Sequence, residues 1–209
     1  PHFTMLWNER IPRLQHRDAG GHLTTVTVVA GALPGADAPL SPPPESWASQ
    51  PEADVAIWTL HLEPGARWTL PAATGQGTRR MLYYFVGDGL AVGPQAIRGH
   101  AALEVVASQH WELVNTGTTA VECLLLQGRP IGEPVAQYGP FVMNTQQEIM
   151  QAMQDYRRTQ FGGWPWAESD PVHGPEARRF ARYPGQTQDE VPSPVDAPGM
   201  ACITPCDPR

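Results

Sequence analysis

Val55-Ala56-Ile57-Trp58-Thr59-Leu60-His61-Leu62-Glu63 alternates without a break. Residues two apart on a strand share one side, so Ala56, Trp58, Leu60 and Leu62 form one face and Val55, Ile57, Thr59 and His61 the other. The first face is the more apolar and is expected to point into a core. Pro64-Gly65 closes the strand with a tight turn. Working outward, Leu23 to Leu33 is rich in β-branched residues and ends at Pro34-Gly35. Arg67 to Leu70 forms a further strand that stops at Pro71. Met81–Val86, Leu90–Val92, Leu103–Ala107, Trp111–Val114 and Val121–Leu126 follow. The breakers between them are Gly87-Asp88-Gly89, Gly93-Pro94, Ser108-Gln109 and Asn115-Thr116-Gly117. Many short strands with regular turn signals predict an all-β antiparallel sandwich or barrel.

The composition agrees. The 209 residues include 23 prolines and 20 glycines, too many for a helical bundle or coiled coil. No run approaches the roughly 18 consecutive apolar residues of a membrane-spanning helix. The formal charge is −7, so the broad cationic surface that nucleic acid demands is not expected. All 14 basic residues are arginine, which excludes Schiff-base and lysine-nucleophile chemistry. The start, Pro1-His2-Phe3-Thr4, lacks the charged and apolar regions of a signal peptide, which points to the cytoplasm. It also lacks an initiating Met, so a fragment or processed product is expected.

One helix is predicted. Thr145-Gln146-Gln147-Glu148 has the capping-box pattern, in which the Thr hydroxyl and Glu carboxylate satisfy two orphan backbone donors. Ile149, Met150, Met153 and Tyr156 recur at helical spacing, and Arg157-Arg158 complement the negative end of the dipole. Gly162-Gly163 is expected to stop the helix, and its apolar stripe to pack on the sheet. Residues 34–54, with Pro39, Pro42-Pro43-Pro44 and Pro51, read as an irregular insertion between strands.

Candidate chemistry is sparse. His61 with Glu63, and His110 with Glu112, each place an imidazole and a carboxylate on one side of a strand. Two such pairs facing each other inside a barrel would make an iron or manganese site. Polar alternation on solvent-facing strand sides explains the same four residues. Cys123 lies in an apolar run and reads as a buried, inert thiol; three cysteines make no disulfide framework, and Cys202 and Cys206, in a Pro-rich tail, either bridge each other on oxidation or sit in a frayed end, the better reading. No Gly-x-Ser-x-Gly elbow occurs, and neither Gly87-Asp88-Gly89 nor Gly162-Gly163 matches a phosphate-cradling loop. Phe161, Trp164 and Trp166 beside Arg157 and Arg158 resemble a stacking platform for single-stranded nucleic acid. At this net charge, helix termination packed by aromatics is the better reading.

A longer pattern runs through the second half. Gly128-Arg129-Pro130-Ile131-Gly132-Glu133-Pro134-Val135 is followed by Tyr138-Gly139-Pro140-Phe141-Val142-Met143-Asn144-Thr145, the helix, and Phe161-Gly162-Gly163-Trp164-Pro165-Trp166. This order resembles the end of a pirin, a bicupin of the cupin superfamily. Met5-Leu6-Trp7 with Ile11-Pro12 resembles the linker entering the second pirin half, and Leu62-Glu63-Pro64-Gly65 and Phe85-Val86-Gly87-Asp88-Gly89 resemble its barrel strands. The resemblance therefore covers the linker and the C-terminal cupin half only.

It implies a cupin-type antiparallel β-sandwich/barrel with one C-terminal helix packed on it and a Pro-rich tail. The implied organisation is a linker-like segment over 1–22, a barrel over 23–145 with the insertion at 34–54, a helix and aromatic turn over 146–166, and an extended tail over 167–209. Pirins carry one iron, in the N-terminal barrel, on a His-x-His pair and a later His-x-Glu-type pair. No His-x-His occurs in this chain. Where a metal-binding cupin places histidines, it has Thr78-Arg79-Arg80-Met81-Leu82-Tyr83-Tyr84, and a guanidinium has no lone pair to offer a cation.

The expectation is therefore a metal-free C-terminal half, with iron in the missing N-terminal domain and no residue here assigned a catalytic, cofactor-binding or metal-ligating role. The intact protein would resemble an iron-dependent quercetin-2,3-dioxygenase with a flavonoid-like small molecule as its ligand, this half walling the cavity, or a regulatory protein. The alternative is a non-catalytic module that pairs with the N-terminal cupin domain or with itself as a homo-oligomer. A stand-alone enzyme built on the two His/Glu pairs is a third reading.

Overall fold

The computed structural model describes residues 4–163, 167, 178–183 and 185–192. The chain forms two compact units, one of residues 11–131 and the other of residues 1–10 and 132–209.

The first unit is all-β. Its strands are β1 (Arg13–Arg17), β2 (Leu23–Ala30), β3 (Ala56–Leu62), β4 (Arg67–Leu70), β5 (Arg79–Val86), β6 (Leu90–Val92), β7 (Gln95–Ile97), β8 (Ala101–Glu104), β9 (Trp111–Asn115) and β10 (Val121–Gly128). They make a six-stranded sheet, β1-β2-β3-β10-β5-β8, and a four-stranded sheet, β4-β9-β6-β7, with every pairing antiparallel. Alternation decides what each sheet buries. On β3 the expected face Ala56, Trp58, Leu60 and Leu62 is buried. Leu82 of β5, Leu113 of β9 and Leu125 of β10 complete the same apolar core. At roughly 1.5–3 kcal/mol per fully buried Leu or Val side chain, this shared core is the dominant stabilising contribution to the unit. β2 ends at Gly31 (φ 78°), where a Cβ would lie 2.3 Å from the Val55 carbonyl, so only glycine fits that approach.

Three details depart from the periodicity reading. Residues 13–17, inside the segment read as a linker, form the edge strand β1; Arg13-Leu14-Gln15-His16-Arg17 has the polar, charged composition that protects an edge. The strand read over Leu103–Ala107 lies at Ala101–Glu104. There Leu103 pairs with Leu82, and the buried Val105 and Ala107 that extended the apolar signal lie beyond it. β7 has only three residues, too few for alternation to show. The insertion is irregular apart from two short 3-10 turns, Trp47–Ser49 and Pro51–Ala53. It is tied to the end of β10: Arg129 N–H donates to the Ala53 carbonyl (2.7 Å), and the Trp47 indole N–H donates to the Arg129 carbonyl (2.9 Å).

The second unit holds a hairpin of β11 (Ala136–Tyr138) and β12 (Phe141–Met143), and helix α1 (Gln146–Thr159). The capping box forms as expected: Thr145 accepts from Glu148 N–H, and the Glu148 carboxylate accepts from Thr145 N–H at 2.8 Å. α1 packs against β11 and β12. Its buried residues are Ile149 and Ala152, whereas Met150, expected in the stripe, is 59% exposed. At 100° per residue, position 152 continues the face of 149 and position 150 turns off it.

The helix also ends before the glycines. Gln160 caps it in the left-handed region (φ 52°), followed by a 3-10 turn through Gly162. Phe161 is left-handed too (φ 51°), its ring set edge-on to Tyr156 (5.3 Å between centroids) and Phe141 (6.3 Å). Of the aromatics read as packing the helix end, Phe161 does so; Trp164 and Trp166 lie outside the described residues.

Within the segment expected to trail as a tail, Ala181 and Glu190 form a β-bridge. Arg179 pairs with Glu9, and the Trp7 indole N–H donates to Glu190 at 2.7 Å. Cys202 and Cys206 lie outside the described residues. Among those residues no helix is long and apolar enough to cross a membrane.

Candidate functional site

β5 presents alternate residues inward, so Arg80, Leu82 and Tyr84 are buried while Arg79, Tyr83 and Phe85 face outward. Of the two adjacent arginines, Arg80 alone enters the barrel, with only 1% of its surface exposed. Its cross-strand neighbour is Gln127 of β10. The Gln127 side-chain oxygen accepts from Arg80 Nε at 2.8 Å and also from Nη2. Arg80 Nη1 donates to the Pro71 carbonyl at 2.7 Å. Among the described residues no carboxylate lies within ion-pair distance of this guanidinium. Burial pushes its pKa below the usual arginine value, and the negative charge of Asp54 opposes the shift. A guanidinium remains protonated under such a shift.

Asp54 closes the insertion in a left-handed conformation (φ 47°). Its carboxylate accepts from Thr78 Oγ1 (2.7 Å), Gly75 N–H (3.0 Å) and Thr74 Oγ1 (3.3 Å), and its backbone carbonyl accepts from Gln127 Nε2 (3.0 Å). The insertion, the 71–78 loop and the end of β10 are thereby joined around Arg80. Two hollows open at this mouth, of about 380 Å³ and 770 Å³, and Ala73, Thr74 and Arg80 line both. Leu33, Pro34, Ala56, Trp58 and Pro71 give the smaller hollow apolar walls. Among the described residues the buried Trp58 indole N–H and the Thr24 hydroxyl have no hydrogen-bond partner.

The residues nominated as metal ligands stand elsewhere. His61 is exposed on the outer side of β3, and the Glu63 carboxylate accepts from Leu23 N–H at 2.8 Å. His110 is exposed before β9, its Nδ1 accepting from Ala72 N–H at 3.4 Å; Glu112 faces Arg67 at 3.4 Å. The two pairs lie on the outward sides of β3 and β9, in different sheets, so they do not converge. The stand-alone metalloenzyme reading loses its site, because the inward parity of both strands falls on the apolar residues between the polar ones. Among the described residues, no three His, Cys, Asp or Glu side chains are grouped to hold a metal.

An iron of the kind bicupins carry is therefore a poor fit to this barrel. The inward position nearest the expected ligand site bears a fixed positive charge, and every described histidine is exposed or half-buried. Cys123 is buried as expected, and burial pushes its thiol up to about 12. Arg80 was legible as a departure from a histidine pattern. Gln127, Asp54 and Trp58 were not singled out, although a lone glutamine at an inward position after Leu124-Leu125-Leu126 marks a buried polar partner.

The family model for the pirin C-terminal cupin domain matches residues 57–162. A Pseudomonas aeruginosa protein that carries a quercetin 2,3-dioxygenase name is 33% identical over 149 residues, 71% of this chain and 49% of that protein. Human pirin is 34% identical over 105 residues, 48% of this chain and 35% of its own. A crystal structure of quercetin 2,3-dioxygenase from Acinetobacter baumannii superposes with a TM-score of 0.57 at 25% identity, covering 75% of this chain and 49% of that one. The chain spans about half the length of the first two of these curated relatives or less.

Proposed function

The chain belongs to the pirin family by its C-terminal cupin domain, and from that membership we propose that its barrel is the metal-free half of a bicupin, pairing with an N-terminal cupin domain that carries the iron. The observation that carries this reading is Arg80. A buried guanidinium at the inward end of β5 repels a cation and donates no electron pair, so this barrel supplies packing and closure without a redox centre.

The outer face of the six-stranded sheet supports the pairing. Ile57 of β3, Leu124 and Leu126 of β10, and Met81 and Tyr83 of β5 are register neighbours there, with Phe85 further along the same side. Tyr83, Phe85 and Leu126 are each more than a third exposed. Contiguous apolar surface of this kind marks an interface. The relatives' length favours an N-terminal cupin half as its occupant over a second copy. For the assembled protein the substrate class is a flavonoid-like small molecule, on the strength of the relatives' names.

The test is metal analysis and light scattering on the purified 209-residue chain. After incubation with Fe(II) and desalting, it is expected to retain far less than one iron per chain and not to consume quercetin. Adding the N-terminal half of the Pseudomonas aeruginosa relative is expected to give a one-to-one complex. Stoichiometric iron on the chain alone would overturn the metal-free assignment. A monomer in both scattering runs would overturn the pairing, and a homodimer would assign the face to self-association.

A further inference from the structure

We propose that the mouth of this barrel binds a small monocarboxylate with an apolar body, held by Arg80. The inference concerns the chain's own cavity and does not depend on a partner half. A guanidinium offers five N–H donors, and Arg80 uses one from each nitrogen: Nε and Nη2 on Gln127, and Nη1 on the Pro71 carbonyl. One N–H on each terminal nitrogen is unassigned, as many donors as a carboxylate has oxygens. All three bonds go to neutral oxygens, so among the described residues the buried charge has no anion in contact with it. Gln127 and Pro71 also hold the guanidinium in place, so a ligand finds it already oriented.

The hollow beside it has the chemistry for the remainder of such a ligand. Its volume of about 380 Å³ falls within the range of small-molecule sites, roughly 300–1,000 Å³. Leu33, Pro34, Ala56, Trp58 and Pro71 present apolar surface to it. Trp58 is 2% exposed, and among the described residues its indole N–H is orphaned, an uncommon state for a buried donor.

Asp54 limits the charge that fits. It lines the same hollow, and its carboxylate is held by Thr74, Gly75 and Thr78. One ligand carboxylate balances Arg80, whereas a dianion such as a phosphate monoester would meet Asp54 with surplus negative charge.

The experiment follows the tryptophan indole N–H resonances of the ¹⁵N-labelled 209-residue chain while benzoate, or its neutral isostere benzamide, is added at constant ionic strength. The Trp58 signal is assigned with Trp58→Phe. Benzoate is expected to shift that signal saturably and to bind at least about tenfold more tightly than benzamide, as loss of one charge-assisted contact implies. Arg80→Gln is expected to abolish the preference. Equal binding of the two compounds would overturn the proposal. So would an unmoved Trp58 signal at about 10 mM benzoate, ten times a weak millimolar dissociation constant. The comparison of the two compounds on the unmodified chain decides the matter even where Arg80→Gln does not fold.

Discussion

Gln127→Met probes the polar cluster at the barrel mouth. Methionine is close to glutamine in length, so the substitution leaves little cavity and removes hydrogen bonding almost alone. Gln127 Oε1 accepts two N–H groups from Arg80, and Nε2 donates to the Asp54 carbonyl. A hydrogen bond to a charged group contributes about 1.5–3 kcal/mol net and a neutral one about 1 kcal/mol. Gln127 is half-buried beside an open hollow, so water recovers part of the loss. The expected destabilisation is about 2–4 kcal/mol, read from urea unfolding followed by tryptophan fluorescence. The double variant Arg80→Met/Gln127→Met removes the stranded charge as well, leaving only the Pro71 and Asp54 carbonyls without their donors. It is expected to be more stable than the sum of the single effects by about 1–3 kcal/mol. A Gln127→Met protein within about 0.5 kcal/mol of the parent, or strict additivity of the two substitutions, would refute the reasoning.

Three further outcomes are expected. Leu82→Ala hollows the centre of the core between Arg80 and Tyr84, and should cost about 2.5–5 kcal/mol in the same assay; a loss under about 1 kcal/mol would mean that the two sheets are not packed as described. Hydrogen bonds from the Thr118 and Thr119 hydroxyls and amides hold the Asp88 carboxyl well below the usual carboxylate range. The unfolded chain therefore binds this proton more readily, and the contribution is present above about pH 4 and lost as pH falls toward the folded value. Asp88→Asn should accordingly flatten the fall of the melting temperature on acidification, and an unchanged pH profile would contradict this. Cys123, with its thiol pushed up to about 12 and no exposure, should escape iodoacetamide until the chain is unfolded; peptide mapping that finds it alkylated in the folded protein would count against the buried assignment.

Strands were legible in the sequence wherever one face is buried and the other wet. Ala56-Ile57-Trp58-Thr59-Leu60-His61-Leu62 announces both its conformation and its inward face, because a one-residue slip would expose Trp58. β1 was hidden because an edge strand carries charge in place of alternation, and β7, β11 and β12 because three residues hold no period of their own; β6, equally short, was readable from the glycine turns on either side of it. The helix start was written in Thr145 and Glu148. Its end was not, because Gln160 turns left-handed next to Phe161, whose ring packs against distant Phe141.

The site was half legible. Arg80 stood out against a histidine pattern, but nothing local says that Arg79 faces out while Arg80 faces in until the strand's parity is known. Asp54 joins the cluster through residues 74–78 and Gln127, contacts that only the folded topology creates. His61, Glu63, His110 and Glu112 misled for the converse reason. Spacing puts each pair on one side of the chain, and for His61 the alternation of Ala56, Trp58, Leu60 and Leu62 already marks that side as outward.

The proposed metal-free barrel holds a guanidinium, that of Arg80, where a metal would need its ligands. Anomalous diffraction at the iron absorption edge, from crystals of the 209-residue chain soaked in Fe(II) under anaerobic conditions, tests it most directly. No anomalous peak is expected inside the barrel, with Arg80 bonded to Gln127 and the Pro71 carbonyl. A peak within about 2.0–2.2 Å of inward-facing nitrogen or oxygen atoms, the usual length of a bond from a transition metal to such a ligand, would contradict it.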